Sequence, residues 1–90
     1  MFYVYLLQSK IKEKEFYLGS TKDFSNRLDM HNSKKIKSTS RYVPWRLIYY
    51  ESFLSEKDAR EREKALKHHG KGMSELKKRL KNSIIISKHQ

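Results

Sequence analysis

Ninety residues is close to the shortest chain that folds unaided, so one domain with a thin core is expected and no second catalytic or targeting domain is expected to fit. Six Tyr, four Phe and one Trp make that core feasible, because each ring buries a large area for one ordered side chain. Lys and Arg number 21 against 10 Asp and Glu, a net charge of +11. So small a surface carries that excess only at a self-repulsive cost, which points to a polyanionic partner. Charge by itself does not separate DNA, RNA and acidic membrane from a merely lysine-rich surface. Cysteine is absent, so disulfides and thiolate metal sites are excluded and a cytoplasmic location is expected. The apolar start, Met1 to Leu7, lacks a basic leader and is too short to span a bilayer, and no later run approaches ~20 apolar residues, so no membrane role is expected.

Apolar, aromatic and β-branched residues from Phe2 to Gln8 read as a buried strand. The polar insert Ser9 to Lys14 has hairpin-loop length, and Glu15 to Ser20 reads as the second strand, closed by Gly19. Asp23 is placed to N-cap a helix over Phe24 to Asn32. Ser33 to Pro44, rich in Ser, Thr and Lys and free of acidic residues, reads as an exposed basic loop and the best segment for tracking phosphates. Trp45 to Phe53 reads as a third strand, able to pair beside the hairpin because a loop and helix precede it. Ser55, with Asp58 three places on, starts a helix to about His68. Gly70 and Gly72 break the periodicity, and Ser74 to Asn82 then predicts a short basic helix. The expected fold class is α/β (α+β), a small three-stranded, mainly antiparallel sheet flanked by about three helices. It occupies residues 1–83, and residues 84–90 form a C-terminal tail in which Ile84 to Ile86 pack on the core and Ser87 to Gln90 fray.

Three groups of residues could carry chemistry. Pairing Tyr3-Val4-Tyr5 with Tyr17-Leu18-Gly19 can bring two phenols to one end of the sheet, although tyrosines in strands are also ordinary half-buried residues. Arg27 and His31 share a helix face and offer a phosphate fork and a group that moves protons near neutral pH; a solvated polar face reads the same way. Ala59, Glu63 and Leu66 fall on one face of the later helix, so Glu63 points coreward and needs either a cation such as Lys67 one turn on or a hard metal ion.

In order and spacing these blocks resemble the GIY-YIG nuclease family, especially its small stand-alone bacterial members. Tyr3-Val4-Tyr5 stands for Gly-Ile-Tyr and Tyr17-Leu18-Gly19 for Tyr-Ile-Gly, followed by Arg27, His31 and Glu63, over Phe2 to about Leu80. The resemblance implies a GIY-YIG fold and a phosphodiester hydrolase. In it Tyr5 or Tyr17 activates water, Arg27 holds the scissile phosphate, His31 assists proton transfer or orients a tyrosine, and Glu63 binds a single Mg²⁺ or Mn²⁺. It also implies that Gly19 lets the backbone approach the site and that Lys67 braces Glu63. Tyr3 departs from the first motif glycine, and Asn82 is a possible counterpart of a late polar residue near the phosphate. Physically, a phenol with a pKa near ~10 is a poor base unless cations favour its phenolate, and Arg27 with a metal on Glu63 would supply that bias and neutralise the transferring phosphate.

The expected function is a metal-dependent endonuclease acting on nucleic acid, DNA in repair or recombination. The alternative is a non-catalytic nucleic-acid-binding module that keeps the fold; a basic structural protein would explain the charge but not the ordered blocks. Binding is assigned to Gly19, Lys34, Lys35, Lys37, Arg41, Trp45 and Lys67, with Tyr42 and Trp45 stacking on unpaired bases. Specificity would come from a protein partner, a homodimer or substrate shape.

Overall fold

A computed structural model describes residues 1–68 and 70–86. Three antiparallel strands, β1 (Phe2–Ser9), β2 (Phe16–Thr21) and β3 (Trp45–Phe53), form one sheet in the order β2-β1-β3. Helix α1 (Phe24–Asn32) and a 3₁₀ turn (Lys37–Tyr42) link β2 to β3, and helices α2 (Glu56–His68) and α3 (Gly70–Arg79) follow. This is the α+β arrangement expected from the sequence.

The unbroken apolar run in β1 reflects its central position, since both faces of that strand are covered. Val4, Leu6 and Leu18 face Ala59, Leu66, Leu76 and Leu80 of the α2–α3 layer. Tyr5, Leu7 and Trp45 face the other way, against Tyr17, Phe24, Leu28 and Leu47. A register irregularity between Leu6 and Leu7 leaves Ile48 between the β3 partners Leu47 and Tyr49. Ile48 and Tyr49 consequently both pack on the α2–α3 side while Leu47 packs on the α1 side.

The β1–β2 loop closes without glycine because the Ser9 hydroxyl accepts from the Ile11 and Lys12 amides and donates to the Tyr42 carbonyl at 2.7 Å. Asp23 caps α1 as expected, accepting from the Asn26 amide at 3.2 Å. Ser55 starts α2: its carbonyl accepts from the Ala59 amide, and its hydroxyl lies 3.4 Å from the Asp58 amide.

Two expectations are corrected. The last helix does not begin after its glycines and run to Asn82; it spans Gly70–Arg79, with both glycines inside. Packing of Met73, Leu76 and Leu80 on the core offsets the cost of Gly72, about 1 kcal/mol within a helix, while Gly70 is the first residue of the helix. The segment from Ser33 to Pro44 is not wholly an exposed loop, because its 3₁₀ turn buries Thr39. Beyond α3, Ile84 packs on the core, and the Gln8 amide both donates to the Ile85 carbonyl and accepts from its N–H. The expected fraying of residues 87–90 falls outside the described residues.

Candidate functional site

Register alone brings the two motif tyrosines together. Tyr5 lies opposite Gly19 and Tyr17 opposite Leu7, so the rings meet diagonally on the α1 face with centroids 6.2 Å apart. Gly19 has a different purpose from the one expected. A Cβ there would lie 2.6 Å from Tyr5 Oη, 2.8 Å from Tyr5 Cζ and 2.9 Å from Tyr17 Cε2. The missing side chain makes room for the Tyr5 phenol, and the buried Gly19 backbone is covered by these rings, which corrects its assignment as a nucleic-acid contact.

One turn of α1 separates Arg27 from His31, and the helix packs so that both enter this cluster. His31 is fully buried, 2.8 Å from Tyr5 Oη through Nε2 and 2.8 Å from Thr39 Oγ1 through Nδ1. Tyr17 meets the imidazole edge-on, with centroids 4.8 Å apart. Burial, reinforced by the Arg27 charge, pushes His31 down to about 4, so the ring is neutral near pH 7. Burial pushes Tyr5 up to about 12; the Arg27 guanidinium beside it pulls the other way, and the charges of Tyr17 and Glu63 add to the rise. Tyr5 is therefore a neutral phenol, 2% exposed, whereas Tyr17 is only half-buried. Arg27 Nε is buried and has no hydrogen-bond partner. An unmatched charged donor is costly inside a protein, so this atom favours an anionic acceptor.

Glu63 belongs to the opposite layer, on α2. It reaches the edge strand β2 through Ser20, whose hydroxyl donates to Glu63 Oε1 at 2.6 Å, while Lys67 Nζ pairs with Oε2 at 2.8 Å. Burial alone would raise its carboxyl, but the Lys67 and Ser20 hydrogen bonds, with the charges of Lys67 and Arg60, outweigh it and leave the carboxyl below its ordinary value. Sheet geometry thus gathers Tyr5, Tyr17, Arg27 and His31 on one face, while Glu63 bonds the edge strand β2 from the other layer. Among the described residues no group of three or more His, Asp or Glu side chains is arranged to hold a metal ion.

Lys34, Lys35, Lys37 and Arg41 are exposed around the C-terminal end of α1 and the 3₁₀ turn. Trp45 is not available for stacking on bases, which corrects that expectation: it is 4% exposed, and its Nε1 donates to the Thr39 carbonyl at 2.8 Å. Asn82 is exposed in the turn after α3, with no contact that joins it to the cluster. Sequence reasoning gave no role to Thr39, Ser20 or Asn32. Asn32 clamps β3, accepting from the Trp45 amide at 2.6 Å and donating to its carbonyl at 3.1 Å. Ser20 and Asn32 adjoin motif residues, which is a usable signal; Thr39 sits in a polar, Ser- and Lys-rich run that carries none.

The chain belongs to the GIY-YIG family: the model of the GIY-YIG catalytic domain matches residues 1–78. It is similar to a UPF0213 protein of Streptococcus pneumoniae serotype 4 (strain TIGR4), 34% identical over 98% of this chain and 80% of the relative. A UPF0213 protein of Streptococcus pneumoniae strain R6 is 33% identical over the same shares. No solved structure matches the chain at a significant level. No described helix is long and apolar enough to cross a membrane.

Proposed function

We propose that this protein is a metal-dependent endonuclease that hydrolyses phosphodiester bonds of nucleic acid, with DNA in repair or recombination as its substrate. The observation that carries the proposal is the clustering of Tyr5, Tyr17 and His31 with the partly exposed Arg27 guanidinium beside them. A backbone phosphate is the acceptor that such a fork fits, with charge-assisted hydrogen bonds. Tyr17, half-buried, is the phenol that can meet the attacking water. Tyr5, held neutral behind it, orients rather than ionises. His31, uncharged near pH 7 and hydrogen-bonded through both ring nitrogens, orients Tyr5 rather than taking up a proton.

Glu63 would hold a single Mg²⁺ or Mn²⁺. Its carboxylate is ionised and partly exposed, with one hydroxyl and one ammonium as its partners. That donor set suits a hard cation that keeps most of its water and completes its shell with substrate oxygens. When bound, the ion supplies charge neutralisation at the transferring phosphate. Lys67 keeps Glu63 ionised in the meantime. The exposed Lys34, Lys35, Lys37 and Arg41 provide sequence-independent contacts to flanking phosphates.

A second reading, a binding module that does not cut, is favoured by one observation: both Glu63 oxygens are already engaged. Cleavage of duplex, branched, flapped and single-stranded DNA and of RNA, with Mg²⁺ or Mn²⁺ against chelator, separates the two. Metal-dependent nicking lost in Glu63→Ala and Tyr17→Phe, with binding kept, is the expected result. Binding of every substrate without cutting establishes the second reading instead.

A further inference from the structure

We propose that Thr39 is the positioning residue of the cluster: its hydroxyl fixes His31 as the Nδ1-protonated tautomer, so that Tyr5 donates to His31. The consequence for catalysis rests on the nuclease reading above; the hydrogen-bond assignment does not.

A threonine hydroxyl has one hydrogen, and Thr39 Oγ1 lies 3.3 Å from the Ile36 carbonyl, which only accepts. Assigning the hydrogen to that carbonyl makes Oγ1 the acceptor at its 2.8 Å contact with His31, with the imidazole proton on Nδ1. Nε2 is then the bare nitrogen, and the 2.8 Å contact with Tyr5 has the phenol as donor. That leaves the Tyr5 oxygen lone pairs for the guanidinium beside it, a group with donors only. The opposite tautomer would turn Nε2–H toward the Tyr5 oxygen and strand a buried phenolic hydrogen next to a cation. The neutral state of His31 agrees with a ring that accepts on one side and donates on the other.

Thr39 is itself held firmly. It is 1% exposed, its amide donates to the Ile36 carbonyl at 3.2 Å, and its carbonyl accepts from Trp45 Nε1 at 2.8 Å. Trp45 is tied in turn by the Asn32 amide at the end of α1. The 3₁₀ turn that looked like loop is therefore a bracket pressing a hydroxyl onto the histidine. Because Tyr17 packs edge-on against the same imidazole, the bracket also sets the attitude of the second phenol.

Nitrogen-15 NMR of the His31 ring in the full chain between pH 6 and 8 reads the tautomer without any cleavage. We expect Nδ1 protonated and Nε2 bare in the wild type and in Thr39→Ser, and loss of that single tautomer in Thr39→Val. In the cleavage assay, kcat should fall by up to about 100-fold in Thr39→Val with KM little changed, and Thr39→Ser should recover most of it. An Nε2-protonated wild type, or Thr39→Val that retains the Nδ1-protonated form, overturns the assignment. If Thr39→Val does not fold, the wild-type tautomer decides alone. A correct tautomer in a protein that cuts nothing removes the nuclease reading and leaves the bracket standing.

Discussion

Replacing Gly19 by Ala tests whether the phenol cluster is as tightly interlocked as its distances indicate. The new methyl would sit 2.6 Å from Tyr5 Oη, 2.8 Å from Tyr5 Cζ and 2.9 Å from Tyr17 Cε2. Restoring ordinary contact near ~3.4 Å requires the Tyr5 ring to withdraw by roughly 0.6 to 0.8 Å. It has nowhere easy to go, because Phe24 lies edge-on at 5.6 Å and His31 at 5.8 Å between centroids, and the side chain is buried. Overpacking of this kind costs about 1 to 3 kcal/mol, and stretching the buried Tyr5–His31 bond adds about 1 kcal/mol. The combined loss, about 2 to 4 kcal/mol, lowers the Tm of a domain this size by about 10 to 25 °C. Thermal and urea unfolding followed by circular dichroism measure it. Repeating the substitution in Tyr5→Phe removes the nearest clashing atom but not Cζ, so the cost should shrink by about 1 kcal/mol without vanishing. A Gly19→Ala domain within about 0.5 kcal/mol of wild type would refute the interlocked cluster.

Acid should weaken the fold through His31. Its folded pKa is depressed from 6.5 to about 4, so its contribution is full above pH 6.5 and is lost as pH falls through 4, by about 3 kcal/mol; a His31→Gln variant should lack that arm in urea titrations between pH 7 and 4. Tyr5 acts in the opposite direction, its folded pKa being raised from 10 to about 12, so its contribution is full below pH 10 and is lost as pH rises through 12. Changing Lys34, Lys35, Lys37 and Arg41 together to Gln should reduce the salt slope of DNA binding by up to about 3.6, at about 0.9 per lost phosphate contact, whereas Trp45→Phe should lower stability and leave that slope unchanged.

Local chemistry made much of this molecule legible in its sequence. The strand at Phe2–Ser9 follows from an apolar run that only a two-sided strand can bury, Asp23 and Ser55 mark helix starts through their own oxygens, and the order of Tyr5, Tyr17, Arg27, His31 and Glu63 carries the family. What depended on contacts between distant segments was not legible. Gly70 and Gly72 look like breakers until Leu76 and Leu80 find the core, and Trp45 looks like a stacking platform until its indole meets the Thr39 carbonyl. Gly19 looks like an approach point for a ligand until Tyr5 is seen to occupy the space. Propensity and spacing act over a turn or two, so residue order alone determined the elements and the reactive types. Which polar atoms share a proton, and which aromatic faces remain open, depends on side chains brought within 3 Å across 8 to 43 positions of chain, and only the tertiary structure decided it.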